Sequence, residues 1–115
     1  AEEAVREAET AMRLNPLDPG WYCGVLGHAY RYAGRLDDAI ATLTDYDRRS
    51  PGFGLVDLVL AYADKGEPEA AAVQAQRLLA ARPAFTIEAW AKTQNGAEPD
   101  RLARDRASLA AAGLP

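Results

Sequence analysis

The stretch LGHAYRYAGRLDDA, residues 26–39, decides the fold. It holds the chain's single histidine, His28, ahead of Tyr30, Tyr32 and the pair Asp37-Asp38. It therefore reads either as a catalytic cluster or as one copy of a structural repeat. Register with the rest of the chain favours the repeat. Tyr30 and Tyr62 lie 32 residues apart, as do Gly34 and Gly66, and Ala39 and Ala71. Leu26, Leu58 and Trp90 step by 32 twice, and so do Pro51, Pro83 and Pro115. Phe53 with Phe85, and Leu55 with Ile87, share that register; Pro16 precedes Pro51 by 35, three residues more. So many coincidences in one register indicate a unit of about thirty-odd residues, the length of a helix pair.

Inside the unit the period is helical. Tyr22, Val25, Leu26, Ala29, Tyr30 and Ala33 fall at three- and four-residue steps, and Leu36, Ala39, Ile40 and Leu43 form the next stripe. Gly34 between them suits a left-handed helix end. RRSP and AARP stop the second helix of each unit. Asp18 before Pro19, Glu67 before Pro68 and Glu98 before Pro99 mark helix starts. The spacing predicts helices over 2–14, 20–33, 36–49, 53–65, 67–81, 85–94 and 99–112. One segment, GLVDLVLAY at 54–62, is rich enough in branched aliphatics to pass alone for a strand. The register assigns it to a helix, because Leu58 and Tyr62 occupy the slots of Leu26 and Tyr30.

Totals narrow the possible roles. The chain has 115 residues, is 49% hydrophobic and 26% charged, and carries a net charge of −4. An acidic chain repels phosphate backbones, so nucleic acid is not an expected partner. Its arginines are interleaved with acids, as in RLARDR at 101–106, and build no basic face. Cys23 is alone, which suits a reducing compartment such as the cytoplasm. The longest apolar run, LVDLVLAYA at 55–63, is short and broken by Asp57, so no membrane association is expected. No secretory pattern opens the chain, and its first residue is Ala, as expected of a fragment or a processed product.

With these positions fixed, the chain resembles the tetratricopeptide repeat family. The family signature places Leu-Gly and then Tyr on a first helix, small residues on a second, and a closing Pro. Leu26-Gly27, Tyr30, Gly34, Ala39, Leu43 and Pro51 supply one copy; Leu58, Tyr62, Gly66, Ala71, Leu78 and Pro83 supply the next. The resemblance implies an all-α chain, a right-handed α–α superhelix of stacked antiparallel helix pairs. Residues 1–16 would be the second helix of a truncated repeat, 20–51 and 52–83 full repeats, and 84–115 a degenerate capping repeat. Departures are Cys23 and Leu55 where Trp is frequent, Val59 in place of the Gly matching Gly27, and Tyr46 where a small residue is usual. More weakly, RP-x-F at 82–85 with the ending AGLP is similar to the C-terminal ends of multidomain bacterial signalling proteins. There, such repeats follow a class III adenylate cyclase or a winged-helix domain.

Small Ala39, Ala71 and Ala75 are expected to let helices approach, with Leu26, Tyr30, Leu43, Leu58, Tyr62 and Leu78 filling the space between layers. The first segment, lacking its partner helix, leaves one side of Ala4, Val5, Ala8, Ala11 and Leu14 uncovered, which predicts fraying or a homo-oligomer formed through it. His28 has no second histidine, nucleophile or CxxC to work with, and it lies five residues from Cys23, off the same helix face. Asp37-Asp38 and Glu69 read as early-helix acids favoured by the helix dipole. GWYCG and PGFG lack phosphate-loop spacing. Catalytic residues, a metal site and a cofactor are therefore not expected.

In the family, the first helix of each pair lines a concave groove. Carried over by register, that surface comprises Trp21, Gly24, His28, Arg31 and Tyr32, then Phe53, Val56, Leu60 and Asp64, then Phe85, Glu88 and Lys92. Relatives that clamp a peptide's carboxylate use Lys, Arg and Asn here, and this chain offers only Arg31 and Lys92. The resemblance thus implies a non-catalytic scaffold binding a protein partner, a peptide or helix, in an apolar groove. Two alternatives stay open. The C-terminal helices could fold over these residues and make them core, and the chain could be a C-terminal regulatory or dimerisation module of a bacterial signalling protein such as an adenylate cyclase.

Overall fold

Glycine and proline delimit the elements of the computed structural model, which describes residues 2–14, 21–94 and 96–115, with side chains except at 11–14 and 21–23. Among the described residues there are seven helices and no strand: α1 (Glu2–Leu14), α2 (Trp21–Tyr32), α3 (Leu36–Arg49), α4 (Leu55–Lys65), α5 (Pro68–Ala81), α6 (Ile87–Ala91) and α7 (Pro99–Ala111). The chain is all-α. The helix start expected at Asp18-Pro19 and the stop at Pro16 lie outside the described residues.

Local chemistry explains most boundaries. Gly34 adopts φ +79°, and the Arg35 N–H reaches back to the Tyr30 carbonyl at 2.9 Å, closing α2. Asp37 and Asp38 occupy the first turn of α3, and Arg48 and Arg49 its last, each sign opposed to the helix dipole. Pro68 and Pro99 open α5 and α7, where a missing N–H costs nothing. Two expected helices are trimmed. α4 starts at Leu55 rather than 53 because Gly54 is left-handed, at φ +76°, and ends the turn at 51–54. α6 shrinks to five residues. Thr86 caps it in an extended conformation, accepting from the Ala89 N–H at 3.2 Å, and the Ile87 N–H donates to the Pro115 carbonyl at 2.7 Å.

Helices pack in chain order, α1 on α2, α2 on α3, α3 on α4 and α4 on α5, while α2 also meets α4. At the close approaches, small residues make the room. Ala39, Ala71 and Ala75 are all but fully buried. A Cβ built on Gly27 would lie 2.5 Å from Leu43 Cγ, so only glycine lets α2 sit this close to α3. The unusually large Tyr46 is matched by glycines at 24 and 54, where a Cβ would meet its ring at 2.7 and 2.9 Å. Leu26, Tyr30, Leu43, Leu58 and Leu78 fill the core between layers, each leucine contributing about 1.5–3 kcal/mol.

The strand-like stretch is helical for a reason visible in the packing. Leu58, Val59, Leu60 and Ala61 are consecutive and all buried, because α4 packs against four helices, α2, α3, α5 and α7, while its Val56 and Asp57 stay half-buried. α7 breaks the chain order. It returns to pack on α4 and α6, burying Leu109, with Leu114 following it into the core. On α1, Val5 and Ala8 are buried, and the Tyr30 hydroxyl donates to Glu9 at 2.6 Å. Burial first, and then Glu9, push that hydroxyl's pKa up to about 12. No helix among the described residues is long and apolar enough to cross a membrane.

Candidate functional site

The returning α7 divides the surface formed by α2 and α4 into a closed part and an open part. In the closed part Arg31 is 2% exposed. Its guanidinium donates to both Asp105 oxygens, at 3.0 and 3.3 Å, and to Asp64 at 3.2 Å, while its Nε lies 3.7 Å from Asp57. Burial alone would pull its pKa down, but the hydrogen bonds and charge of Asp105, then the charges of Asp57 and Asp64, outweigh burial and raise it. Arg101 of α7 lies over the Tyr32 ring at 3.8 Å and donates to the Arg31 carbonyl at 3.4 Å. Leu60, on the same helix as Asp64, is fully buried.

The open part is a cleft. Its first lobe, of 520 Å³, runs from the turn at Pro51–Gly54 across Val56 and Asp57 to Leu78, Arg82 and Trp90. A second lobe of 430 Å³ continues past Gly24, Val25, His28 and Tyr46, and both lobes border Gly54, Asp57, Trp90 and Gln94. On the other side of Trp90, a depression of 470 Å³ reaches Phe85 and Thr86. Phe53 is the most exposed large apolar side chain described, at 59%. Its ring stands 6.0 Å from Tyr46.

The groove set named from sequence is therefore split. Gly24, His28, Phe53 and Val56 line the open cleft together. Arg31, Tyr32 and Asp64 border a separate 240 Å³ recess against α7, and Leu60 is core. Phe85 is buried, with Arg82 over its ring at 5.5 Å. Glu88 and Lys92 are exposed and border none of these depressions; Glu88 pairs with Arg106 at 3.4 Å. The side chain of Trp21 lies outside the described residues.

Several cleft residues were not in that set: Tyr46, Asp57, Trp90 and Gln94. Asp57 could have been found, since 53, 56, 57, 60 and 64 complete one helical stripe. Trp90 shares the register of two core leucines, Leu26 and Leu58, which hides that it is only half-buried. Asp105 carried no signal, because RLARDR reads as a solvated run.

His28 sits at the floor of the second lobe, its Nδ1 3.2 Å from Asp57 Oδ1 and its ring 4.3 Å from Tyr32. A carboxylate can orient an imidazole for proton transfer, but no hydroxyl or thiol is hydrogen-bonded to His28 among the described residues. Nor is any group of three or more His, Cys, Asp and Glu side chains there placed to hold a metal ion. No family model, no curated protein and no solved structure matches the chain.

Proposed function

We propose that the chain is a tetratricopeptide-like module, a right-handed superhelix of helix pairs, that binds a peptide segment of a protein partner in the cleft and does no chemistry. The chain-order packing of α1 to α5, with α2 meeting α4, supports the superhelix. One observation carries the binding reading: a phenyl ring, Phe53, 59% exposed on the turn at 51–54 at the rim of a 520 Å³ concavity that Trp90 also borders. Exposing an aromatic ring to water is unfavourable, and a concave site around it is where a partner recovers that cost. The lone cysteine suits a reducing compartment such as the cytoplasm.

Selection of a randomised displayed-peptide library on the intact chain tests the reading. Enriched peptides are expected on the wild type, with binding to Phe53→Asp lost by roughly a hundredfold, as for a central aromatic anchor. The thermal melt should not move, because Phe53 is exposed. Binding that survives Phe53→Asp would refute the cleft.

A further inference from the structure

We infer that the cleft selects a peptide with one basic residue, arginine or lysine, seated between Trp90 and Tyr46 with its charge on Asp57. This rests on the cleft being a peptide-binding surface and names the chemistry of its occupant. Asp57 is the only acidic residue bordering either lobe among the described residues, and its side chain is 26% exposed. Its Oδ1 faces His28 at 3.2 Å and Arg31 Nε at 3.7 Å; no hydrogen bond reaches Oδ2 among the described residues. Arg31 neutralises it only in part. That guanidinium hydrogen-bonds Asp105 and Asp64, while its Nε, buried, makes no hydrogen bond. One positive charge is thus divided among three carboxylates, and Asp57 is the one turned to the open cleft.

The walls suit the same ligand. Trp90 borders both lobes, and Tyr46 borders the second with its ring tilted 41° to that of Phe53. Aromatic faces attract guanidinium and ammonium groups, more strongly when a carboxylate sits behind them in a partly desolvated site. Phe53 and Val56 line the first lobe and favour apolar residues beside the basic one. Arg82 at that lobe's far edge repels a second basic residue, which fixes the peptide's direction. The chain's net charge of −4 steers basic peptides toward it.

The same randomised library decides, read now for composition. Wild-type protein should enrich peptides with Arg or Lys at one fixed position, flanked by apolar residues. Synthetic versions should bind Asp57→Asn roughly five- to tenfold more weakly. That difference should vanish when norleucine replaces the basic residue. Should Asp57→Asn melt early, salt replaces it as the probe. On the wild type the Arg peptide must weaken with ionic strength and its norleucine twin must not. Enriched peptides with no fixed basic residue, or Arg peptides indifferent to both Asp57→Asn and salt, overturn the basic subsite. If those peptides still need Phe53, the cleft reading stands. Peptides indifferent to Phe53→Asp, or no enrichment at all, overturn both.

Discussion

Asp47 sits near the end of α3 and ties three segments. Its Oδ1 accepts from the Gly52 N–H at 3.0 Å, and its Oδ2 from Arg77 of α5 at 2.6 Å. Burial works to raise its pKa, but the Gly52 hydrogen bond and Arg77 outweigh it, so the carboxyl stays below its ordinary value. The sign of the pH effect follows. A depressed carboxyl contributes stability that is present above its unfolded pKa, near 4, and is lost as pH falls through the lower folded value. Asp47→Asn keeps an acceptor for Gly52 but loses the charge facing Arg77, and is expected to cost about 1 kcal/mol at pH 7. Urea titrations of wild type and Asp47→Asn from pH 7 to pH 2 should show that gap closing below about pH 4. A gap of constant size would show that the carboxylate's charge plays no part. The turn it braces carries Phe53, so this pair also sets the rim of the cleft.

At the scale of elements, α7 is held to α2 by a charge contact as well as by leucines. Asp105 is 4% exposed and Arg31 2%. Removing Arg31 alone strands a buried carboxylate, and Arg31→Ala is expected to cost about 3–5 kcal/mol. Arg31→Met combined with Asp105→Leu should recover most of that loss, since Asp57 and Asp64, with side chains 26% and 32% exposed, can turn to water. Chemical denaturation of both variants checks this; a double variant as unstable as Arg31→Ala would place the cost elsewhere. The same contact shows where the sequence stops being legible. Helices could be placed because Gly34, Pro68 and Pro99 act on their neighbours, and because Leu26 and Leu58 or Tyr30 and Tyr62 repeat their roles. α4 resisted local reading, since four buried residues in a row, Leu58 to Ala61, blur the helical stripe and make LVLAYA look like a strand. The position of α7 stayed one of two alternatives in the sequence, folded over the groove residues or clear of them. Arg101 and Asp105 have the composition of a solvated helix, and their partners Tyr32 and Arg31, some 70 residues earlier, half-bury the one and bury the other. That is why the groove set is split: its Arg31 end depends on a long-range contact, its Phe53 end on local turn geometry.

For the molecule as a whole, the order of contacts says more than its dimensions. The radius of gyration is 13.5 Å, close to the roughly 13 Å of any compact chain this long, and the extents are 38 × 29 × 25 Å. What distinguishes it is that α1 to α5 pack each on the next, and only α7 makes a long return, onto α4 and α6. In a serial arrangement each layer draws its stability from its neighbours, so damage at one end should stay near that end. Ending the chain after Ala97 removes α7 with Leu109 and Asp105, uncovering Arg31 and the side of α4 that α7 packs on. Hydrogen exchange should then quicken most in α4 and α6, which α7 covers, and less in α2, which loses Asp105 and Arg101 only at its last turn. α1, at the other end of the series, should keep its protection. If exchange instead quickened equally from α1 to α5, the helices would share one cooperative core, and their order along the chain would say nothing about how stability is distributed.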